Sequence, residues 1–126
     1  MKKLDNFKKS LKVIENADRT KADDSEIYRS GVIAQFNLSF ELAWKSIKEK
    51  LESMGVNMEL KGSPRAVLKE GYALHLIDDE DIWLDMLEKR NRVVHMYDEY
   101  EANELKILIF DKYIKELQNL VPKLEK

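Results

Sequence analysis

SEIYRSGVIAQFNLSFELAWKSIKEKLESMG, residues 25–55, is the stretch that decides the fold. Within it Ile27, Val32, Phe36, Phe40, Ala43, Trp44, Ile47 and Leu51 recur mostly at three- and four-residue steps. A half-buried strand would alternate at every second residue, so this spacing predicts one apolar helix face. The predicted helix runs about seven turns, and Gly55 stands where a left-handed C-terminal residue is wanted.

The same period extends outward. Leu4, Phe7, Leu11 and Ile14 mark a first helix, and the polar run Asn16–Asp24 reads as a connector. Downstream, Ser63-Pro64 pairs an N-cap hydroxyl with proline at the first helical position, predicting a third helix over Pro64–Leu76. It carries Val67, Leu68 and Tyr72 and is interrupted by Gly71. Acidic Asp78–Asp81 suits the first turn of a fourth helix, whose apolar face is Ile82, Trp83, Met86 and Leu87. A fifth stripe, Leu105, Leu108, Ile109, Tyr113, Leu117 and Leu120, ends near Pro122. With 4 Gly and 2 Pro the chain has too few breakers for a many-stranded fold. There are no repeats and no internal linker. The expectation is a single all-α domain over residues 1–126, an up-and-down four-helix bundle with an additional short helix.

Apolar residues are 44% of the chain, enough for a core, while a charged fraction of 37% implies long solvated helix faces. Cysteine is absent, which excludes disulfides and thiolate-held zinc. The net charge of −2 does not suit a general nucleic-acid coat, so any RNA contact must come from a local basic cluster. The N-terminal residues lack the apolar core of a signal peptide, and no run approaches the ~20 apolar residues of a membrane span. A soluble, cytoplasmic protein with no membrane contact is expected.

Few residues offer chemistry. Of the two histidines, His75 and His95, neither begins a metal-binding motif, and no metal or cofactor is implied. His75, between Leu74 and Leu76, is expected to be partly buried and hydrogen-bonded. Trp44 and Trp83 sit on apolar stripes and read as core, and Glu41 and Lys45 as an ordinary pair four residues apart. Gly-rich phosphate loops, nucleophile elbows and paired nucleotidyltransferase aspartates are missing.

What remains is RNRVVHMY, residues 90–97, with Lys89 just before it. Arginine offers a planar, permanently charged fork for phosphate. Histidine exchanges a proton near neutral pH, and tyrosine supplies a hydroxyl. Such a set suits metal-free cleavage of an RNA phosphodiester, the guanidinium stabilising charge on phosphorus. Geometry intervenes, however. At ~100° per residue Asn91 and His95 share a helix face, whereas Arg90 points about 140° from His95. Either the helix breaks near Val94, or two chains combine their segments across a symmetry axis. One histidine in this segment also favours a dimer where acid and base must be separate. The plainer alternative is a basic helix end favoured by the dipole. The residues alone leave both open.

Arg90, His95 and Tyr97 are spaced as in the Rx4HxY motif of HEPN-domain toxins, with polar Asn91 after the arginine. The stretch RSGVIAQFNLSFELAWK, residues 29–45, resembles the long helix of the nucleotidyltransferase substrate-binding protein family. Ser63-Pro64-Arg65 and WLDMLEKRN, residues 83–91, resemble its later blocks, and the similarity covers nearly the whole chain. The resemblance implies a helical bundle, a homodimer or higher oligomer, working beside a separate minimal nucleotidyltransferase (MNT). It implies one of two functions. The chain is a metal-independent ribonuclease of a toxin–antitoxin pair, neutralised by AMP addition at Tyr97, or it is a non-catalytic subunit that presents substrate to the nucleotidyltransferase. Under the first, Arg90 and His95 are catalytic, Asn91 orients them and Tyr97 accepts AMP, with RNA as substrate. In that family the two motifs meet at the dimer interface, which answers the helical-face problem. Whether Glu41, Lys45 and Arg65 face the site is not legible in the sequence.

Overall fold

The computed structural model describes residues 2–58, 62–93 and 98–126, and the described residues are helices and their connections, with no strand. The elements are α1 (Lys2–Glu15), α2 (Arg19–Asp24), α3 (Glu26–Ser53), α4 (Pro64–Ala73), α5 (Glu80–Arg92), α6 (Glu99–Leu108) and α7 (Ile114–Leu124). A π turn, Ile109–Tyr113, joins α6 to α7 without a break, so the last three segments form one rod. α3 is the central element. The α1 helix, the α4–α5 pair and the C-terminal rod pack around it. The all-α bundle expected from the spacing is present.

The core follows the stripes read from the sequence, except that Ile27 and Tyr72 are exposed. Phe7, Phe36, Phe40, Ile47, Leu68, Met86 and Leu117 are fully enclosed. Rings of Phe36 and Phe40 lie 6.2 Å apart, Phe40 and Trp83 6.1 Å, and Phe36 stacks on Tyr113 at 5.2 Å. This row joins α3, α5 and the π turn, and each such ring contributes roughly 1.5–3 kcal/mol through burial. Trp44 and Trp83 are both buried, as expected. Between α1 and α3 the Ser10 and Ser39 hydroxyls bond at 2.6 Å, and the Gln35 amide donates to Ser10 Oγ at 3.0 Å.

Three local expectations need correction. The supposed connector Asn16–Asp24 contains α2, capped by Asp18 accepting from Lys21 N–H. A six-residue helix that buries only Ala22 leaves no periodic stripe to find. The rod, from Glu99 to Leu124, carries the fifth stripe and ends near Pro122 as expected. α4 ends at Ala73 rather than Leu76. His75 N–H donates to the Tyr72 carbonyl and Leu76 N–H to the Gly71 carbonyl, a Schellman closure. His75 therefore takes the left-handed position, at φ 65°, and is exposed rather than partly buried. α3 closes identically, Gly55 to Glu52 and Val56 to Leu51, with Gly55 at φ 93° as expected.

Candidate functional site

The sequence-selected residues gather at the C-terminal end of α5. Asp79 caps that helix by accepting from Ile82 N–H; Glu80 and Asp81 follow in the first turn, and Lys89, Arg90 and Arg92 occupy the last. Acids at the N-terminus and bases at the C-terminus both match the helix dipole. The helix ends at Arg92, with Val93 as its cap residue. Arg90 and Asn91 are thus in its last full turn, and the Arg90 Nη1 donates to Asn91 Oδ1 at 2.9 Å. His95 and Tyr97 lie outside the described residues.

None of the cations in this cluster is bare. Lys89 pairs with Asp85 at 2.8 Å, and Arg92 with Glu88 at 3.7 Å and Glu101 at 3.5 Å. Arg90 donates through Nη2 to Glu41 Oε2, which reaches it from α3. The other oxygen of Glu41 faces Lys45 at 3.5 Å, so Glu41 is more than half of an ordinary helical pair. Burial pushes its carboxyl up, but the hydrogen bond and charge of the Arg90 guanidinium and the charge of Lys45 hold it below its usual range. Glu41 is an anion at neutral pH.

An open groove of about 620 Å³ runs between the start of α4 and α5, with Arg90 and Asn91 at one end. Ser63, Pro64 and Arg65 form one wall; Asp81, Leu84, Asp85 and Glu88 belong to the other. Ser63 spends its hydroxyl on capping α4, accepting from Ala66 N–H at 3.2 Å. Arg65 is exposed and makes no ion pair among the described residues, leaving its guanidinium open to a ligand. The acids opposite are largely engaged, Asp85 by Lys89 and Tyr113, and Glu88 by Arg92.

The bond made by Tyr113 depends on the shape of the rod. A π turn inserts an extra residue into the helical register, and such turns concentrate where one side chain must be re-aimed. Here it accompanies a buried Tyr113 whose hydroxyl donates to Asp85 Oδ2 beneath the groove. Burial and the facing carboxylate push the phenol far above its ordinary range. Asp85 moves the other way: burial raises it, but the bonds from Lys89 and Tyr113 and the charges of Lys89 and Lys112 hold it below its usual value. No group of three or more His, Cys, Asp or Glu able to hold a metal ion occurs among the described residues.

Of the residues singled out in the sequence, the structure brings together Arg90 and Asn91 and adds Arg65 to their groove. Lys45 stands one step removed, beside Glu41. The residues that sequence reasoning missed are Glu41 as partner of Arg90 and the Asp85–Tyr113 pair, because contacts between distant helices leave no mark in local spacing.

Comparison with protein families matches residues 2–126 to the model described as "Nucleotidyltransferase substrate binding protein like". Comparison with curated proteins finds no significant match. Among solved structures, HI0074 of Haemophilus influenzae, described as a substrate binding domain of a nucleotidyltransferase, superposes with TM-score 0.84. It is 23% identical, over 98% of this chain and 99% of that one. A Thermus thermophilus protein aligns with TM-score 0.79 at 24% identity, over 95% and 99% of the two chains. At these identities the likeness to both is one of fold.

Proposed function

This chain belongs to the nucleotidyltransferase substrate-binding protein family, and on that premise we propose that it works with a separate minimal nucleotidyltransferase as a ribonuclease toxin. The observation that carries the proposal is Arg90, a half-buried guanidinium held beside Asn91 at the mouth of an open groove, five residues before His95. In the proposed reaction His95 takes the 2′-hydroxyl proton of RNA. The 2′-oxygen attacks the adjacent phosphorus, the 5′-oxygen leaves with a proton from a second acid, and a 2′,3′-cyclic phosphate results. Arg90 stabilises the charge that builds on the phosphoryl oxygens. With one motif histidine per chain, the second acid is the His95 of a second copy, so the active form is a homodimer. Arg65 lies along the same groove and suits the flanking phosphates. Tyr97 is the control point, where AMP from the partner enzyme blocks the site.

The test is expression of the chain alone beside a His95→Ala variant, with RNA cleavage followed in EDTA. Growth arrest and cleavage by the parent, both lost in the variant, are expected. No arrest and no cleavage by either overturns the toxin. Intact mass after incubation with the partner and ATP should rise in AMP units and stop doing so in Tyr97→Phe.

One observation favours a second function. The groove has room for a nucleotide-sized ligand and is lined by Arg65, which has no ion pair among the described residues. This suits a non-catalytic subunit presenting substrate to the nucleotidyltransferase. That subunit would need Arg65 for ligand binding and would tolerate loss of His95.

A further inference from the structure

The proposed chemistry uses Arg90 but does not explain why a carboxylate on another helix holds it. We infer that Glu41 is a positioning residue that sets the plane of the Arg90 guanidinium for phosphate, an inference that rests on the ribonuclease proposal above.

The pair is not required for charge balance. Glu41 already has Lys45 at 3.5 Å, so it would keep a cation without Arg90. Nor is it a large source of stability: both side chains are 29% exposed, and a partly solvated ion pair contributes little. What the pair does supply is direction. A guanidinium has five N–H donors in a fixed plane. One on Nη2 goes to Glu41 and one on Nη1 goes to Asn91, which fixes two points of the plane. Among the described residues three donors remain, Nε–H and one on each terminal nitrogen, enough for a two-pronged phosphate contact.

The support is also better anchored than the residue it supports. Glu41 lies between fully buried Phe40 and Ala43 on α3, the central 28-residue helix, followed by buried Trp44. Arg90 stands in the last turn of α5, where hydrogen bonding along the helix runs out. A side chain at a helix end gains most from a partner on a rigid neighbour, because a shift of about 1 Å at the reacting centre costs on the order of 100-fold in rate. Asn91 alone cannot supply that anchor, since it belongs to the same turn.

The experiment uses the full chain with a short oligoribonucleotide, measuring kcat, KM and Tm for the parent, Glu41→Gln and Glu41→Ala. The amide keeps an acceptor oxygen in place and alanine keeps nothing. Positioning predicts kcat lower by roughly 10- to 100-fold in Glu41→Ala, with KM changed less than about threefold and partial recovery in Glu41→Gln. Crossing Glu41→Ala with Arg90→Lys should be non-additive, because the glutamate acts only through the arginine. A fall in Tm with kcat retained makes Glu41 merely structural and overturns the inference. A rise in kcat or a fall in KM shows that it competes with phosphate, and also overturns it. If the parent cleaves RNA and Glu41→Ala matches it, this inference alone is lost. If the parent cleaves nothing, the ribonuclease proposal fails and takes this one with it.

Discussion

Arg29, at the start of α3, is 7% exposed and gives Nε and Nη2 to the Ala22 and Asp23 carbonyls, each at 2.9 Å, while Glu99 lies 3.4 Å from Nη1. Arg90, at the end of α5, has a side chain 29% exposed and among the described residues is held by side chains, Glu41 and Asn91. The first guanidinium closes the last turn of α2 and fills the gap between α2, α3 and α6. The second borders an open groove and keeps donors free. Arg29 bonds backbone carbonyls, fixed by the helix that carries them, whereas Arg90 bonds side-chain acceptors and faces a groove. The difference teaches that burial and the nature of the acceptors, rather than charge, separate an arginine that builds the fold from one available for chemistry.

The largest effects should come from breaking each arginine in turn. Arg90→Ala is expected to lower RNA cleavage by roughly 100- to 1000-fold with stability changed by about 1 kcal/mol or less. Arg29→Ala should leave two carbonyls without their donor and cost about 2–4 kcal/mol, a Tm fall on the order of 10 °C, while the remaining folded protein cleaves normally. Thermal melts and turnover per folded molecule check both. Equal losses of stability in the two variants would erase the comparison.

Much of the Arg29 side of the molecule was open to the sequence as helices but not as contacts. Phe36, Phe40 and Ile47 announce α3 because a helix repeats its buried face every few residues. α2 is silent, since Ala22 is its one buried side chain. Arg29 itself looks like any polar residue between apolar ones, and its acceptors are carbonyls, which no residue type specifies. On the other side, chemistry named Arg90 and Asn91 directly; α5 ends at Arg92, and the alternative of a helix break near Val94 lies outside the described residues. Glu41 sits 49 residues from Arg90, and no spacing rule spans that interval. The π turn is equally hidden: Ile109 and Tyr113 are four apart, as in an ordinary helix, and only packing against Asp85 and Phe36 shows the shifted register.

That packing gives the next, smaller effect. Tyr113→Phe keeps the ring on Phe36 and removes only the hydroxyl that donates to Asp85. A bond to a charged acceptor contributes about 1.5–3 kcal/mol, but Asp85 is 38% exposed and keeps Lys89, so water and the lysine recover part of it. A loss of roughly 1 kcal/mol in urea unfolding is expected, with kcat within about twofold of the parent, since the bond lies below the groove and does not touch Arg90. A kcat loss as large as that of Glu41→Ala would extend the positioning role from Arg90 alone to the whole α5 support.

The smallest effect separates the two arginines by pH. Arg29 gives Nε and Nη2 to carbonyls, which do not titrate, and meets a carboxylate, Glu99, only at Nη1, whereas Arg90 is held by Glu41, whose carboxyl lies below its ordinary value in the folded chain. A lowered carboxylate contributes stability that is present above the unfolded value, near 4.3, and is lost as pH falls through the lower folded one. Arg90 should therefore lose its α3 partner only below the ordinary glutamate range, with the whole contribution under roughly 1 kcal/mol because the pair is partly solvated. In protein labelled with 15N-arginine, the Arg90 Nε signal should move in that window by more than the Arg29 Nε signal, whose own donor goes to the Ala22 carbonyl. The Glu41→Gln variant should flatten the Arg90 titration and leave Arg29 untouched. If the two signals move by the same amount in the parent, the distinction between carbonyl and carboxylate acceptors does not govern the two sites.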